Sequence, residues 1–91
     1  MQVFKDNDAA YEGWLDANPH GFVLNSYRSP QPGYLILHRA TCSFISRTAE
    51  PPVRWTTGDY IKICANNVSE IESWCREEAG ASPQPCGMCR P

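Results

Sequence analysis

Two short clusters of metal-ligand residues stand out in the chain, His38-x3-Cys42 and Cys86-x2-Cys89. An imidazole and three thiols are donors that Zn²⁺ favours, and structural zinc sites usually draw them as two closely spaced pairs. If residues 38–42 run through a first helical turn, the two side chains of that pair lie on one face. In the second pair, Gly87 is expected to permit a tight bend that lets backbone amides reach the sulfurs. The spacing predicts one zinc ion with four protein ligands, which is typical of a structural site.

The other cysteines leave alternatives to this ligand set open. The chain has five cysteines, so a secreted scaffold with two disulfides and one free thiol is a second interpretation. Cys64 and Cys75 are most simply core residues, yet Cys64 is an alternative to His38 as the fourth ligand. A catalytic Cys–His pair is disfavoured because thiolates held by zinc are less free to attack.

Size and composition narrow the classes of function. The 91 residues predict one domain, residues 1–91, short enough to benefit from a cross-link. The formal charge of −2 excludes a global basic field that would draw the chain onto nucleic acid. We find neither an apolar run of membrane-spanning length nor a signal-peptide core in residues 1–5, so we expect no membrane association and a cytoplasmic location.

Two segments have the pattern of amphipathic helices. The first is expected to begin at the cap-like residues 6–8 and to end at residues 18–21. The second follows Asn67, where Glu70 completes a capping-box pattern, and Gly80 is a suitable C-terminal stop. These segments supply the two main helices of a predicted α+β fold.

Three segments predict a small antiparallel sheet of about three strands: residues 22–27, 34–37 and 60–64. The first two are expected to form a hairpin through a turn at 29–33, which brings His38 to its end. Lys62 is expected to face solvent because it alternates with isoleucines. A short helix is predicted after Cys42. The zinc site would then join the hairpin end to the C-terminal cysteines.

The order of strand, H-x3-C, strand, helix and P-C-x-x-C resembles that of the Ada-like zinc-binding modules. These are the N-terminal metal-binding domain of the Ada DNA-repair protein and the HxxxC…CxxC domains of bacterial nucleases. The match rests on residues 34–37 before His38 and Cys42, and on residues 85–91 at the other end. The resemblance implies a zinc-bearing fold, a bacterial source and a link to DNA. Ada has a methyl-accepting cysteine where this chain has His38, so here an imidazole ligand is implied instead.

The preferred functional prediction is a non-enzymatic zinc module that binds nucleic acid, specifically DNA. The residues expected to contact phosphate are Arg28, Arg39, Arg47 and Arg54. Aromatic residues, among them Tyr27, Tyr34 and Trp55, would supply stacking surfaces. One alternative is a protein-interaction module that uses the acidic helix over residues 69–78 and exposed aromatic side chains. A further alternative is an enzyme-like alkyl acceptor at Cys42, Cys86 or Cys89.

Overall fold

A computed structural model describes residues 1–46 and 54–91 of the chain. Over these residues it contains two helices and a mixed sheet of five strands, so the α+β class is confirmed and the expected number of about three strands is wrong. The strands are β1 (Gln2–Phe4), β2 (Phe22–Gln31), β3 (Tyr34–Arg39), β4 (Tyr60–Ala65) and β5 (Gln84–Pro85). The helices are α1 (Asp8–Ala17) and α2 (Val68–Ala79).

The sheet has the strand order β1-β4-β2-β3-β5. Its centre, β4-β2-β3, is the predicted antiparallel sheet, and a short strand is added at each edge. Strand β5 runs parallel to β3 and pairs Gln84 with Ile36 and Pro85 with Leu37. The edge strands are three and two residues long, which is too short for a periodic hydrophobic signal.

The hairpin differs from its prediction at both ends. Strand β2 continues to Gln31, which pairs with Tyr34, so the turn is narrower than expected. Strand β3 continues to Arg39, so His38 lies opposite Val23 in the ladder and the predicted helical turn over residues 38–42 is wrong. The predicted short helix after Cys42 is also wrong. The chain makes successive turns there, with backbone bonds from Cys42 to Arg39 and from Ile45 to Cys42.

Both predicted helices are confirmed, together with the residues that begin and end them. The side chains of Asn7 and Asn67 accept hydrogen bonds from the amides of Ala10 (3.1 Å) and Glu70 (3.0 Å), which are otherwise unpaired in a first turn. Helix α2 ends at Gly80, whose φ of 65° is a left-handed conformation that glycine adopts without a Cβ clash.

Alternation along the strands divides the buried side chains between the two faces of the sheet. The aliphatic face lies under α2 and comprises Leu24, Leu35, Leu37, Ile61, Ile63, Ala65, Ile71 and Cys75. The polar face lies under α1 and carries a mixed set, namely Val23, Asn25, His38, Lys62 and Cys64 from the sheet with Tyr11, Leu15 and Trp55 packed over it.

The prediction that Lys62 faces solvent is wrong, because the side chain is only 3% exposed. Alternation correctly placed it opposite the isoleucines, but α1 and Trp55 cover that face of the sheet. Its ammonium donates to Asn25 Oδ1 at 2.8 Å and to the Trp55 carbonyl at 2.6 Å. It also lies 5.9 Å from the Tyr11 ring centroid, within the range of a cation–π contact.

Candidate metal centre

Four predicted ligands, His38, Cys42, Cys86 and Cys89, meet at one end of the sheet. One donor atom from each lies within 4.8 Å of the others. Tetrahedral Zn–S bonds of about 2.3 Å would place two sulfurs about 3.8 Å apart, so the cluster is close to the size that a zinc ion requires. His38 comes from β3, Cys42 from the turn after it, and the other two from the residues after β5.

The structure does not support the two alternatives to this ligand set, namely Cys64 as the fourth ligand and a pair of disulfides. Cys64 is fully buried on β4 and is not a member of the cluster. All five cysteines lie in the described ranges and all are free thiols, so the structure contains no bridge of the disulfide interpretation. The cluster that can hold a metal ion is therefore the predicted one.

Pairing of β5 with β3 delivers the C-terminal cysteines to the centre. The Cys86 amide donates to the Leu37 carbonyl at 2.8 Å, which places Cys86 directly beside the strand that carries His38. The Arg90 amide then donates to the Cys86 carbonyl at 3.0 Å and closes the turn. The left-handed residue of this turn is Arg90, with a φ of 46°, whereas Gly87 does not have a positive φ.

Backbone amides point at two of the sulfurs. The Arg39 amide donates to Cys89 Sγ at 3.2 Å, and the Met88 amide donates to Cys86 Sγ at 3.4 Å. Such bonds favour the thiolate, which is the form that binds metal. At Cys86, burial acts to raise the pKa, but amide hydrogen bonds from Cys89 and Met88 outweigh it and the pKa lies below its usual value.

His38 gives the test of whether these residues suit a metal ion. Its Nδ1 atom is buried and has no hydrogen-bond partner among the described residues, an arrangement that costs about 1–3 kcal/mol. Burial, helped by the charge of Lys62, lowers the His38 pKa to about 4, so the ring is neutral and has a free lone pair. A neutral imidazole and three thiols in a largely buried cluster fit a zinc-type metal ion.

The pKa of Cys42 is shifted in the opposite direction from that of Cys86. Burial raises its pKa to about 11, so without a cation it is protonated at neutral pH. A bound metal ion reverses this preference because its charge stabilises the thiolate. The cluster thus combines one thiol whose pKa is lowered by hydrogen bonds, Cys86, with one whose pKa is raised by burial, Cys42.

Two of the arginines predicted to contact nucleic acid, Arg28 and Arg39, form hydrogen bonds within the chain. Arg28 forms a two-pronged ion pair with Asp6 and also donates to the carbonyls of Gly58 (2.6 Å) and Thr56 (2.9 Å). Arg39 donates to the carbonyls of Cys89 and Arg90, both at 3.0 Å. These two guanidinium groups therefore bind within the chain.

Of the predicted arginines that the structure describes, Arg28 and Arg39 lie far apart on the sheet. Arg39 lies opposite Phe22 at the start of β2, whereas Arg28 is further along that strand, about 20 Å away at about 3.3 Å per residue. Arg54 is exposed, and Arg47 lies outside the described residues. Of the expected stacking residues, Trp55 is only 7% exposed and donates its Nε1–H to Glu12.

A cavity of about 500 Å³ adjoins the candidate metal centre on the polar face. Its lining includes Asn25, Tyr34, Ile36, His38, Phe44 and Gly87. Phe44 and Met88, from the two ligand-bearing segments, are 59% and 63% exposed. Exposed apolar side chains therefore flank the ligands on both segments.

Sequence reasoning missed Asp8, which organises the polar face. Its carboxylate accepts from the Trp55 amide (3.2 Å), the Thr56 amide (2.7 Å) and the Thr56 hydroxyl (2.6 Å). Burial acts to raise its pKa, but these hydrogen bonds outweigh it and the pKa is lowered. The sequence indicates Asp8 only as part of a helix start, because its partners Trp55 and Thr56 are 47 and 48 residues away along the chain.

Neither helix in the described ranges combines the length and the apolarity needed to cross a bilayer. No protein-family model, curated protein or solved structure matches the chain. The resemblance to Ada-like modules therefore stays a prediction that rests on the residues alone.

Proposed function

We propose that this chain is a non-enzymatic zinc module in which His38, Cys42, Cys86 and Cys89 hold one structural Zn²⁺. The observation that carries the proposal is the convergence of three thiols on a buried imidazole with an unpaired nitrogen. When bound, zinc supplies a cross-link between β3 and the segment after β5. Four protein donors leave no open position for water or substrate, which is the property of structural rather than catalytic zinc.

Metal analysis of the purified chain tests this directly. We expect one zinc per chain, and a Co²⁺-substituted sample with the absorption of a tetrahedral thiolate site. Cys86→Ser should abolish stoichiometric binding. Cys75→Ala is the matched control, because it removes a buried thiol from the aliphatic face and leaves the cluster intact. A folded protein that binds no zinc would overturn the proposal.

A protein-binding role is the second candidate, favoured over nucleic acid by the exposed apolar side chains of Phe44 and Met88 beside the centre. Exposed apolar groups at a rim are typical of protein interfaces. DNA binding through Arg28, Arg39, Arg47 and Arg54 stays a prediction, and phosphate would have to compete with the internal partners of Arg28 and Arg39.

Titration of labelled single- and double-stranded DNA at low salt separates the two roles. We expect no binding at micromolar protein. Micromolar affinity that falls steeply with salt would restore the nucleic-acid prediction.

The alkyl-acceptor alternative is tested by mass spectrometry after exposure to a methyl donor. We expect no added methyl on Cys42, Cys86 or Cys89, because zinc-held thiolates are less free to attack.

A further inference from the structure

Arg39 makes three hydrogen bonds that converge on two successive residues of the C-terminal segment. Its amide donates to Cys89 Sγ at 3.2 Å, its Nε to the Cys89 carbonyl at 3.0 Å, and its Nη2 to the Arg90 carbonyl at 3.0 Å. The planar guanidinium fork suits two adjacent acceptors, which an ammonium group cannot match with the same geometry.

Besides its bonds to Arg39, the C-terminal segment is held to β3 by the β5 pairing and by the Cys86 amide, and the Arg90 amide closes its turn. Strand β5 is only two residues long, and Cys89 is the one ligand of the four that is not fully buried. Arg90 adopts a left-handed φ of 46°, a conformation that residues with a Cβ disfavour. Contacts that hold this conformation are therefore needed to keep Cys89 directed at the other ligands.

We propose that Arg39 is a positioning residue of the metal centre, whose side chain holds the Cys89 and Arg90 carbonyls so that Cys89 Sγ stays in place as a ligand. This inference rests on the proposed zinc function. It assigns Arg39 to the centre itself instead of to nucleic-acid contact. It also explains why the guanidinium is hydrogen-bonded to the C-terminal segment although the residue is exposed.

The test is the Zn²⁺ affinity of the full chain, measured by competition with a chromophoric chelator. Arg39→Met keeps much of the apolar stem and removes the fork, so we expect affinity about tenfold lower, the scale of losses when a ligand's supporting hydrogen bonds are removed. Arg39→Lys keeps the charge but not the planar fork, so its zinc affinity should fall by most of the same factor. Arg76→Met is the matched control, an exposed arginine on α2, and should bind zinc as the unaltered chain does.

A residue-selective measurement excludes a general loosening of the fold. In zinc-loaded Arg39→Met, iodoacetamide should alkylate Cys89 about tenfold faster than in the unaltered chain, with Cys42 and Cys86 little changed. Equal acceleration at all three thiols, unchanged affinity, or an Arg39→Lys variant that binds like the unaltered chain would each overturn the inference and leave the zinc proposal intact. Failure of the unaltered chain to bind zinc would overturn both.

Discussion

The two faces of the sheet are stabilised in different ways. Under α2, the aliphatic face packs leucines and isoleucines, many with no exposed surface, against Ile71 and Cys75. Under α1, the polar face buries a lysine, a histidine and several hydrogen-bonded side chains beside the candidate metal centre. The aliphatic face depends mainly on the amount of apolar surface buried, whereas the polar face depends on particular partners being present.

Metal removal should give the largest difference between the faces. With free zinc a thousandfold above its dissociation constant, binding adds about 4 kcal/mol to the free energy of unfolding. A chelator should remove this, and hydrogen exchange should accelerate first at residues 84–91 while the amides of β2 and β4 stay protected. Unchanged denaturant midpoints with and without chelator would show that the polar face needs no ion.

Shortening a side chain of the aliphatic face should lower the free energy of unfolding nearly as much as metal removal does, but should leave the zinc bound. Leu24 has no exposed surface, so Leu24→Ala should lower the free energy of unfolding by about 3 kcal/mol through lost burial and a residual cavity. Denaturant unfolding measures the loss and elemental analysis the zinc content. A variant that loses zinc stoichiometry would show that the faces are coupled.

Lys62 should give the polar face a pH dependence that the aliphatic face lacks. Burial, partly offset by the nearby Cys64 and Asp8, lowers its pKa to about 8, so between about pH 8 and 10.5 the unfolded chain binds more protons than the folded chain. The folded state therefore gains stability as pH rises through this window.

We expect the unaltered chain to gain about 1.5 kcal/mol relative to Lys62→Met between about pH 8 and 9.5, because a full one-proton difference corresponds to about 1.36 kcal/mol per pH unit and the folded chain is still half protonated at about pH 8. Paired denaturant titrations of the zinc-loaded proteins measure the difference. Thiols that titrate in the same range are present in both proteins and largely cancel. A difference that is flat or falls with pH would contradict the buried ammonium.

The smallest expected loss of stability comes from removing a helix cap, and it should be equal for α1 and α2, which lie on opposite faces of the sheet. Asn7 and Asn67 each accept one amide hydrogen bond at the start of a helix, so Asn7→Ala and Asn67→Ala should each cost about 1 kcal/mol. Thermal unfolding of the two variants makes the comparison. A much larger loss for Asn7→Ala would show that capping of α1 also supports the metal centre.

Elements with a strong local signal were predictable from the sequence. Both helices have cap residues and apolar spacing, and the ligand pairs have characteristic intervals, so helices and cluster were found. Features set by long-range packing were not. The burial of Lys62 depends on Trp55 and α1 crossing that face, and the bonds of Arg39 depend on β5 pairing with β3. No pattern among residues adjacent in sequence predicts those contacts.

The position of β5 has a consequence for contacts between molecules. By covering β3, it occupies a row of backbone donors and acceptors that would otherwise invite another chain to add a strand. Pro85 has no amide hydrogen and so offers no donor for further sheet growth. Release of this short strand would uncover Ile36 and Leu37, so protein stripped of its ion should self-associate through β3 as its concentration rises.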